Sequence, residues 1–461
     1  MKSKWPLVAL VCLFLRTEAI DYRSWSCEPY EFFLDFYRCC SESKLSERSE
    51  PSWTPTTYVL YEVNPSEGFN LRRDVYIRMA VFMRGLRRMP GWENTKLVLP
   101  PWSELHHWRS NTINQRNLTW GHFFDLESMR KFTEVIEAEQ FFREFERWST
   151  GSGRHEARKP VSINEYYRLT HFDDMFENGV FVDKFEQTPC TKALTKDAPG
   201  FMRLHATFEI DDFYCVRFQG AATLLYSMFK KFGPERQPEI RTIFVGNAEV
   251  VLHDHWGNVD YWEARRSMRF SKTLVSIADE FRLHNFNSSN ERDRVQRPTS
   301  WTDERPYRKA KGGDFLCAHL RRADFLYGRD KTTPTLHSAA AQIKKKLLEL
   351  GLRKVYISSD CPGMEFNDLK NYLRRFKVVR FTPESRAQMD QLKDGGVAII
   401  DQIICSQARY FIGTYESTFT YRIYEEREIL GFPRDLTFNT FCKHEEATNC
   451  EKNAVWPIQY E

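Results

Sequence analysis

At 461 residues, with 41% hydrophobic and 28% charged side chains, the chain is long for a single core and too apolar to stay disordered, so two globular domains are expected. Lysine and arginine number 67 against 63 aspartates and glutamates, and a net charge of +4 lacks the basic excess that a nucleic-acid surface needs. A locally positive cleft for a phosphorylated small molecule fits within that total.

The chain opens Met-Lys-Ser-Lys, continues apolar from Trp5 to Leu15, and passes through Arg16-Thr-Glu-Ala19, the layout of a secretory leader over 1–19 cleaved after Ala19. A membrane span needs roughly 20 apolar residues, about twice this run, and no other stretch reaches that length. Residues 20–55 read as an irregular, Ser- and Glu-rich lead-in. The pattern then changes to a strand at Tyr58–Val63, a helix over Leu71–Arg88 and a strand at Lys96–Pro100. The aromatic-rich stretch from 103 to 215 does not resolve into elements, and Ser149–Gly153 has the composition of a flexible surface loop. Asn258–Leu283 returns to helical spacing, and the polar, proline-containing Asn285–Gly313 reads as a linker.

From Asp314 onward strands alternate with helices: Phe315–Leu320, Lys354–Ser358, Val378–Phe381 and Tyr410–Gly413 as strands, with Leu336–Leu350, Phe366–Phe376, Val397–Ala408 and Phe419–Leu430 as helices. Such alternation implies parallel sheets covered on both faces. The expected class is α/β, with two Rossmann-like domains, 56–298 and 299–461, facing a cleft.

All cysteines but Cys12 lie beyond the leader, in a context that favours disulfides. Cys190 with Cys215 and Cys442 with Cys450 sit in polar segments at short separation and are the expected pairs. Cys317 and Cys405 lie in apolar runs and read as buried free thiols, while spacing leaves Cys27, Cys39, Cys40 and Cys361 unassigned. Asn117 and Asn287 head glycosylation sequons. A leader with sequons and paired cysteines points to the secretory pathway.

In open parallel sheets, ligands sit outside the carboxyl ends of the strands. Three such places carry chemistry. After the first strand, Asn64-Pro-Ser-Glu67-Gly-Phe-Asn70 exposes a carboxylate and backbone N–H groups, or else forms only a helix-entry turn. After the Phe315 strand comes His319-Leu-Arg321-Arg322-Ala-Asp324, where a guanidinium can hold two phosphate oxygens or simply pair with Asp324. At Gly413-Thr-Tyr-Glu-Ser417-Thr418-Phe419, hydroxyls and free donors at a helix start suit an anion, and ordinary capping by Ser417 or Thr418 explains the same residues. Asp401 stands among apolar neighbours and needs a partner, from a nucleoside or from an internal Arg. No Asp-x-Asp pair for a nucleotide-bound metal is present, and His253-Asp-His255 reads as structural, its two imidazoles on opposite sides of a strand.

Taken together, the blocks Val63–Asp74, His319–Phe325, Lys393–Gln402 and Ser417–Phe419 resemble the protein O-fucosyltransferases of the branch that modifies thrombospondin type 1 repeats, over Tyr58–Cys450. Ser66 stands where the family carries Pro, and Ala323 where it carries Lys. The resemblance implies a GT-B fold, a monomer of the endoplasmic reticulum lumen, and GDP-fucose as donor without a metal. It places the donor against Ser66, Glu67, Gly68, Phe69, Asn70, His319, Leu320, Arg321, Asp401, Ser417, Thr418 and Phe419. Glu67 matches the family's base and Glu426 another glutamate needed for activity, with Arg321 facing the phosphates. Two alternatives remain open: transfer to EGF-like repeats, and a non-catalytic secretory lectin or chaperone that binds such repeats.

Overall fold

Thr56–Tyr61 (β1) is Thr-Thr-Tyr-Val-Leu-Tyr, and all six residues are buried. Strand periodicity sends Val59 and Tyr61 to one face and Tyr58 and Leu60 to the other, and each pair joins a different apolar cluster. A strand buried on both sides must lie inside a sheet. In the computed structural model, which describes residues 55–108, 110–150, 161–190, 208–234, 238–445 and 450–461, β1 is the third of seven strands. The expected leader, almost all of the lead-in, Cys27, Cys39, Cys40 and residues 151–153 lie outside the described residues.

The large sheet adds β2 (Thr95–Leu99), β3 (Val135–Glu137), β4 (Val161–Thr170), β7 (Lys184–Thr188), β8 (Phe208–Gln219) and β9 (Ile240–Gly246), in the order β3-β2-β1-β9-β4-β8-β7. All neighbours are parallel except the edge pair β7 and β8, which Cys190–Cys215 braces. A short hairpin, β5 (Phe176–Glu177) with β6 (Val180–Phe181), stands apart. The helices of this half are α1 (Phe69–Leu86), α2 (Ala138–Thr150), α3 (Leu224–Phe232), α4 (Val259–Ser267) and α5 (Lys272–Phe286). Ser149 and Thr150, expected in a loop, close α2. His253 lies beyond β9 and not within a strand; its Nε2 is 3.0 Å from Asp74.

The second sheet, β10 (Gly313–Leu320), β11 (Lys354–Ser359), β12 (Lys377–Val379) and β13 (Ala408–Gly413), is wholly parallel in the order β12-β11-β10-β13. Its crossovers are α6 (Leu336–Glu349), α7 (Gly363–Tyr372) and α8 (Arg386–Ser406), and α9 (Thr418–Ile429) follows β13. The segment read as a linker is anchored: Trp301 is buried, and Arg269 Nη1 donates to the carbonyls of Pro298 and Thr299 at 2.7 and 2.8 Å.

The helix expected from Val397 begins eleven residues earlier, at Arg386, capped by Ser385, whose side chain accepts from the Gln388 amide. Lys393, at φ 60°, breaks it into two helical stretches and frees the Asp394 N–H for Gln115 Oε1 at 2.9 Å. Gly395 and Gly396 read as helix breakers in sequence and serve instead as contact points. A Cβ on Gly395 would fall 2.7 Å from Phe123 and 2.8 Å from Trp108, and one on Gly396 3.2 Å from Leu274 of α5. Beyond them Ile399, Ile400, Ile403 and Ile404 are fully buried, each contributing about 1.5–3 kcal/mol.

Cys317 and Cys405 correct the free-thiol expectation. β10 and α8 bring their Cα atoms to 5.1 Å and the sulfurs are joined. Apolar surroundings alone do not distinguish a thiol from a half-cystine; the packing of helix on strand does. Cys442 is joined to Cys450, and Cys361 is buried and free.

Within the large sheet, Glu165 and Arg241 form a buried bidentate pair at 2.6 and 2.9 Å, with Tyr167 Oη donating to Glu165 at 2.6 Å. Arg241→Met strands that carboxylate and is expected to cost about 3–5 kcal/mol, most of which the double substitution with Glu165→Met regains. Chemical denaturation checks both; equal stability of Arg241→Met and the parent chain would contradict the pairing.

Candidate active site

The turn after β1 is held by its own polar groups. Asn64 O accepts from the Glu67 amide at 3.0 Å and from Arg72 Nη2 at 2.8 Å, and Asn64 Oδ1 accepts from the Ser66 amide and hydroxyl at 3.0 and 2.8 Å. Gly68 then starts α1 with an extended backbone. The Asn64 amide in turn donates to Glu249 at 3.1 Å, and the Glu67 carboxylate makes no hydrogen bond or ion pair among the described residues. It points to a cleft of about 680 Å³, a size suited to a nucleotide sugar.

The opposite wall comes from the second sheet. Arg321 follows β10, its amide donating to Thr414 Oγ1 at 2.9 Å and its guanidinium reaching Asp324 and Asp360, each at 2.6 Å. Pairing with Asp324, the bland alternative of the sequence, therefore occurs, and Asp324 remains about half exposed. Arg322 turns away to Glu365 and the Pro334 carbonyl.

His319, just before Arg321, stacks on Phe419 with ring centroids 4.3 Å apart. The Thr420 hydroxyl hydrogen goes to Thr414 O, so its oxygen accepts from His319 Nδ1–H at 2.8 Å. That assigns Nε2 as an acceptor. Burial, and then Arg321, push the His319 pKa down to about 3, so the ring is neutral.

At the start of α9, Ser417 is the N-cap residue and its side chain makes no capping bond. The capping explanation fails for this hydroxyl, which stays available beside the unpaired first-turn amides. Asp401 of α8 accepts from Tyr356 Oη and, at 2.8 Å, from Ser358 Oγ. Burial raises its pKa to about 6, against the lowering effect of those two hydroxyls. Its partners within the chain are two hydroxyls and not the internal Arg that was one of the two alternatives the sequence left open.

Ser66, Glu67, Gly68, Phe69, Asn70, His319, Arg321, Asp401, Ser417, Thr418 and Phe419 thus line one cleft. Leu320 and Glu426 do not. The Leu320 side chain is buried in the core of the smaller sheet. Glu426 lies behind the cleft, 3.1 Å from Arg265 and 3.2 Å from Arg297; burial raises its pKa, and the arginines reverse that to a net lowering.

Sequence reasoning missed His107, Ser110, Asp360 and Arg380 on the same walls. Asp360 follows β11 and was findable by the strand-end rule. His107 and Ser110 sit in the aperiodic stretch after β2, where nothing local marks them. Asn117 and Asn287, the sequon residues, both have left-handed backbones, at φ 54° and 56°, and lie away from the cleft lining. Among the described residues, no three His, Cys, Asp or Glu side chains converge as metal ligands, and no helix is long and apolar enough to cross a membrane.

Residues 58–430 match the family described as GDP-fucose protein O-fucosyltransferase. GDP-fucose protein O-fucosyltransferase 2 of Drosophila melanogaster is 48% identical over 410 residues, covering 87% of this chain and 82% of that one. The human protein of the same name is 38% identical over 411 residues, covering 87% and 90%. The crystal structure of POFUT1 in complex with GDP-fucose shares the fold, at a TM-score of 0.52 and 14% identity over 85% of this chain and 99% of that one. The α/β, GT-B-like architecture and the site at the strand ends are those of a glycosyltransferase, and the chain belongs to the GDP-fucose protein O-fucosyltransferase family.

Proposed function

We propose that this enzyme transfers fucose from GDP-fucose to a Ser or Thr hydroxyl of folded thrombospondin type 1 repeats, with inversion and without a metal ion. The observation that carries the reading is the unpartnered Glu67 carboxylate lining the same cleft as Arg321. The acceptor oxygen forms a bond to fucose C1 while the bond from C1 to the β-phosphate oxygen breaks. The acceptor proton passes to Glu67, because a neutral hydroxyl is a weak nucleophile. One direct displacement inverts the anomeric carbon.

Charge gathers on the departing diphosphate. Arg321 meets it, with Asp360 holding one end of the guanidinium and the half-exposed Asp324 giving way, and the free amides and Ser417 hydroxyl of the α9 terminus add donors. The nucleoside lies toward Asp401, and residues 56–298 supply the acceptor side and base while 299–461 supply the donor side. The blocks from Val63 to Phe419 support the thrombospondin-repeat acceptor over EGF-like repeats. The disulfides suit an oxidising compartment, and the endoplasmic reticulum lumen is the proposed location.

Glu426 acts in this scheme by positioning. Glu426→Ala leaves Arg265 and Arg297 short of a buried partner, an expected loss of about 3–5 kcal/mol. Its transfer rate should fall together with thermal stability; lost transfer at unchanged Tm would show direct participation.

Incubation of the purified chain with GDP-fucose and isolated thrombospondin-type or EGF-like repeats should label only the former, and a chelator should leave turnover unchanged. Glu67→Gln is expected to lower kcat by about 10²–10⁴-fold with little change in GDP-fucose affinity. Transfer at the parent rate by that variant would refute the base assignment.

Asp401 gives a pH test. Ionised, it only accepts hydrogen bonds, so donor N–H or O–H groups are held above its pKa of about 6 and lost as pH falls through it. GDP-fucose affinity should therefore weaken between pH 7.5 and 5 in the parent chain and stay flat in Asp401→Asn. Stability runs the opposite way: the raised pKa favours folding below the unfolded carboxylate range, and that contribution is lost as pH rises through about 6.

A further inference from the structure

His107 lies against both halves of the proposed chemistry. On one side, a Cβ added to Gly68 would fall 3.0 Å from His107 Cδ2 and 3.3 Å from Nε2, so the ring packs against the residue next to Glu67. On the other, Arg321 Nη2 stands 3.1 Å from Nδ1 and 3.3 Å from Nε2. Near-equal distances to two nitrogens separated by a single carbon place Nη2 over the ring face and not along either lone pair. Nη2 thus meets the imidazole across its face.

The loop that carries His107 is firmly held. Trp102 is buried 4.8 Å from Phe69 and 4.6 Å from Trp120, centroid to centroid. The Trp108 amide closes a turn on Leu105 O at 2.8 Å, and the Trp108 ring packs on Phe69 and Phe123, each at 5.9 Å. Further on, Asp394 of α8 accepts from the Ser110 amide at 2.9 Å, the Ser110 hydroxyl at 2.6 Å and Gln115 Nε2 at 3.0 Å. A loop from the large sheet is therefore pinned to a helix of the small one, with the imidazole between Gly68 and Arg321. Burial, then the Arg321 charge, lower the His107 pKa to about 4, so the ring adds no positive charge next to the guanidinium.

We propose that His107 is a positioning residue: its ring sets the distance between the Glu67 turn and the Arg321 guanidinium, so that base and phosphate clamp meet the donor in fixed register. The inference rests on the fucosyl-transfer reading above. It takes effect through rate, because Asp360 still holds Arg321 in the cleft when the ring is gone.

The test compares the full chain with His107→Ala, His107→Phe and Gly68→Ala, measuring kcat across pH, GDP-fucose affinity by calorimetry, and Tm. His107→Ala should lose at least tenfold in kcat with under a threefold change in affinity and an unchanged Tm. His107→Phe, which keeps a flat face and no nitrogens, should recover at least half of the parent kcat. The pH limbs of kcat should be the same in both. Gly68→Ala, which presses on the ring from the other side without backbone strain, should also lose rate more than affinity.

Parent-level kcat in His107→Ala would overturn the proposal. So would a His107→Phe variant as slow as the alanine variant with a displaced pH limb, since His107 would then carry a proton. A kcat loss that tracks a lowered Tm would make the ring a packing group only. An inactive parent chain with every acceptor would overturn the functional reading and this inference with it.

Discussion

The cleft exists because α1 and α8 are tied together beneath it by three side chains. Arg73 Nη1 donates to Gln402 Oε1 at 2.7 Å and to Asn70 Oδ1 at 3.2 Å, and Gln402 Nε2 donates to the same Asn70 oxygen at 2.9 Å. Asn70 lies three residues beyond Glu67, and Gln402 directly follows Asp401. The triangle therefore links the segment that carries the proposed base to the one proposed to meet the nucleoside. Arg73 is fully buried, its guanidinium near the rings of Phe69, Phe124 and Phe270 at 5.7, 5.3 and 5.2 Å. Burial, and then the like charges of Arg265 and Arg422, depress its pKa well below the usual value.

A cation held there needs compensation, and the surrounding network supplies it. Arg265 pairs with Glu425 at 2.7 Å and Glu426 at 3.1 Å; Arg422 meets Glu425 at 3.0 Å and Asp74 at 3.3 Å. Burial opposes the charge on Asp74, yet His253, Arg422 and Arg78 outweigh it and hold that carboxylate well below its ordinary range. These groups come from α1, α4 and α9, so the ionic core spans both halves of the chain. Buried pairs gain little over apolar packing and cost heavily when broken. Their effect is to fix one arrangement of the helices, and that arrangement positions the cleft walls.

The site divides its polar groups into satisfied and free ones. Asp394 takes three donors, Asp401 two hydroxyls, and Arg321 two carboxylates. Among the described residues, the Glu67 carboxylate and the Ser417 hydroxyl are left without such partners, each past the carboxyl end of a strand, one in each sheet. Asp394 holds geometry, Arg321 and Asp401 keep partners that a bound donor would share or displace, and the unsaturated groups are free to meet a substrate directly.

Much of this was legible in the chain itself. Apolar runs such as Tyr58–Val63 and Phe315–Leu320 marked central strands because a strand covered on both faces cannot alternate, and the strand-end rule led to Glu67, Arg321 and Ser417. Tertiary structure alone decided the rest. Cys317 and Cys405 lie far apart in sequence and meet only when α8 packs on β10. Glu426 resembles a catalytic glutamate by its sequence block, but the turn of α9 that carries it faces Arg265 of α4 and Arg297 behind the cleft. His107 sits in a stretch without periodicity, and its contacts come from one residue 39 positions earlier and another 214 positions later in the chain. Local pattern reports burial and chain direction; which side chains share a cavity depends on contacts between distant segments, which no local pattern encodes.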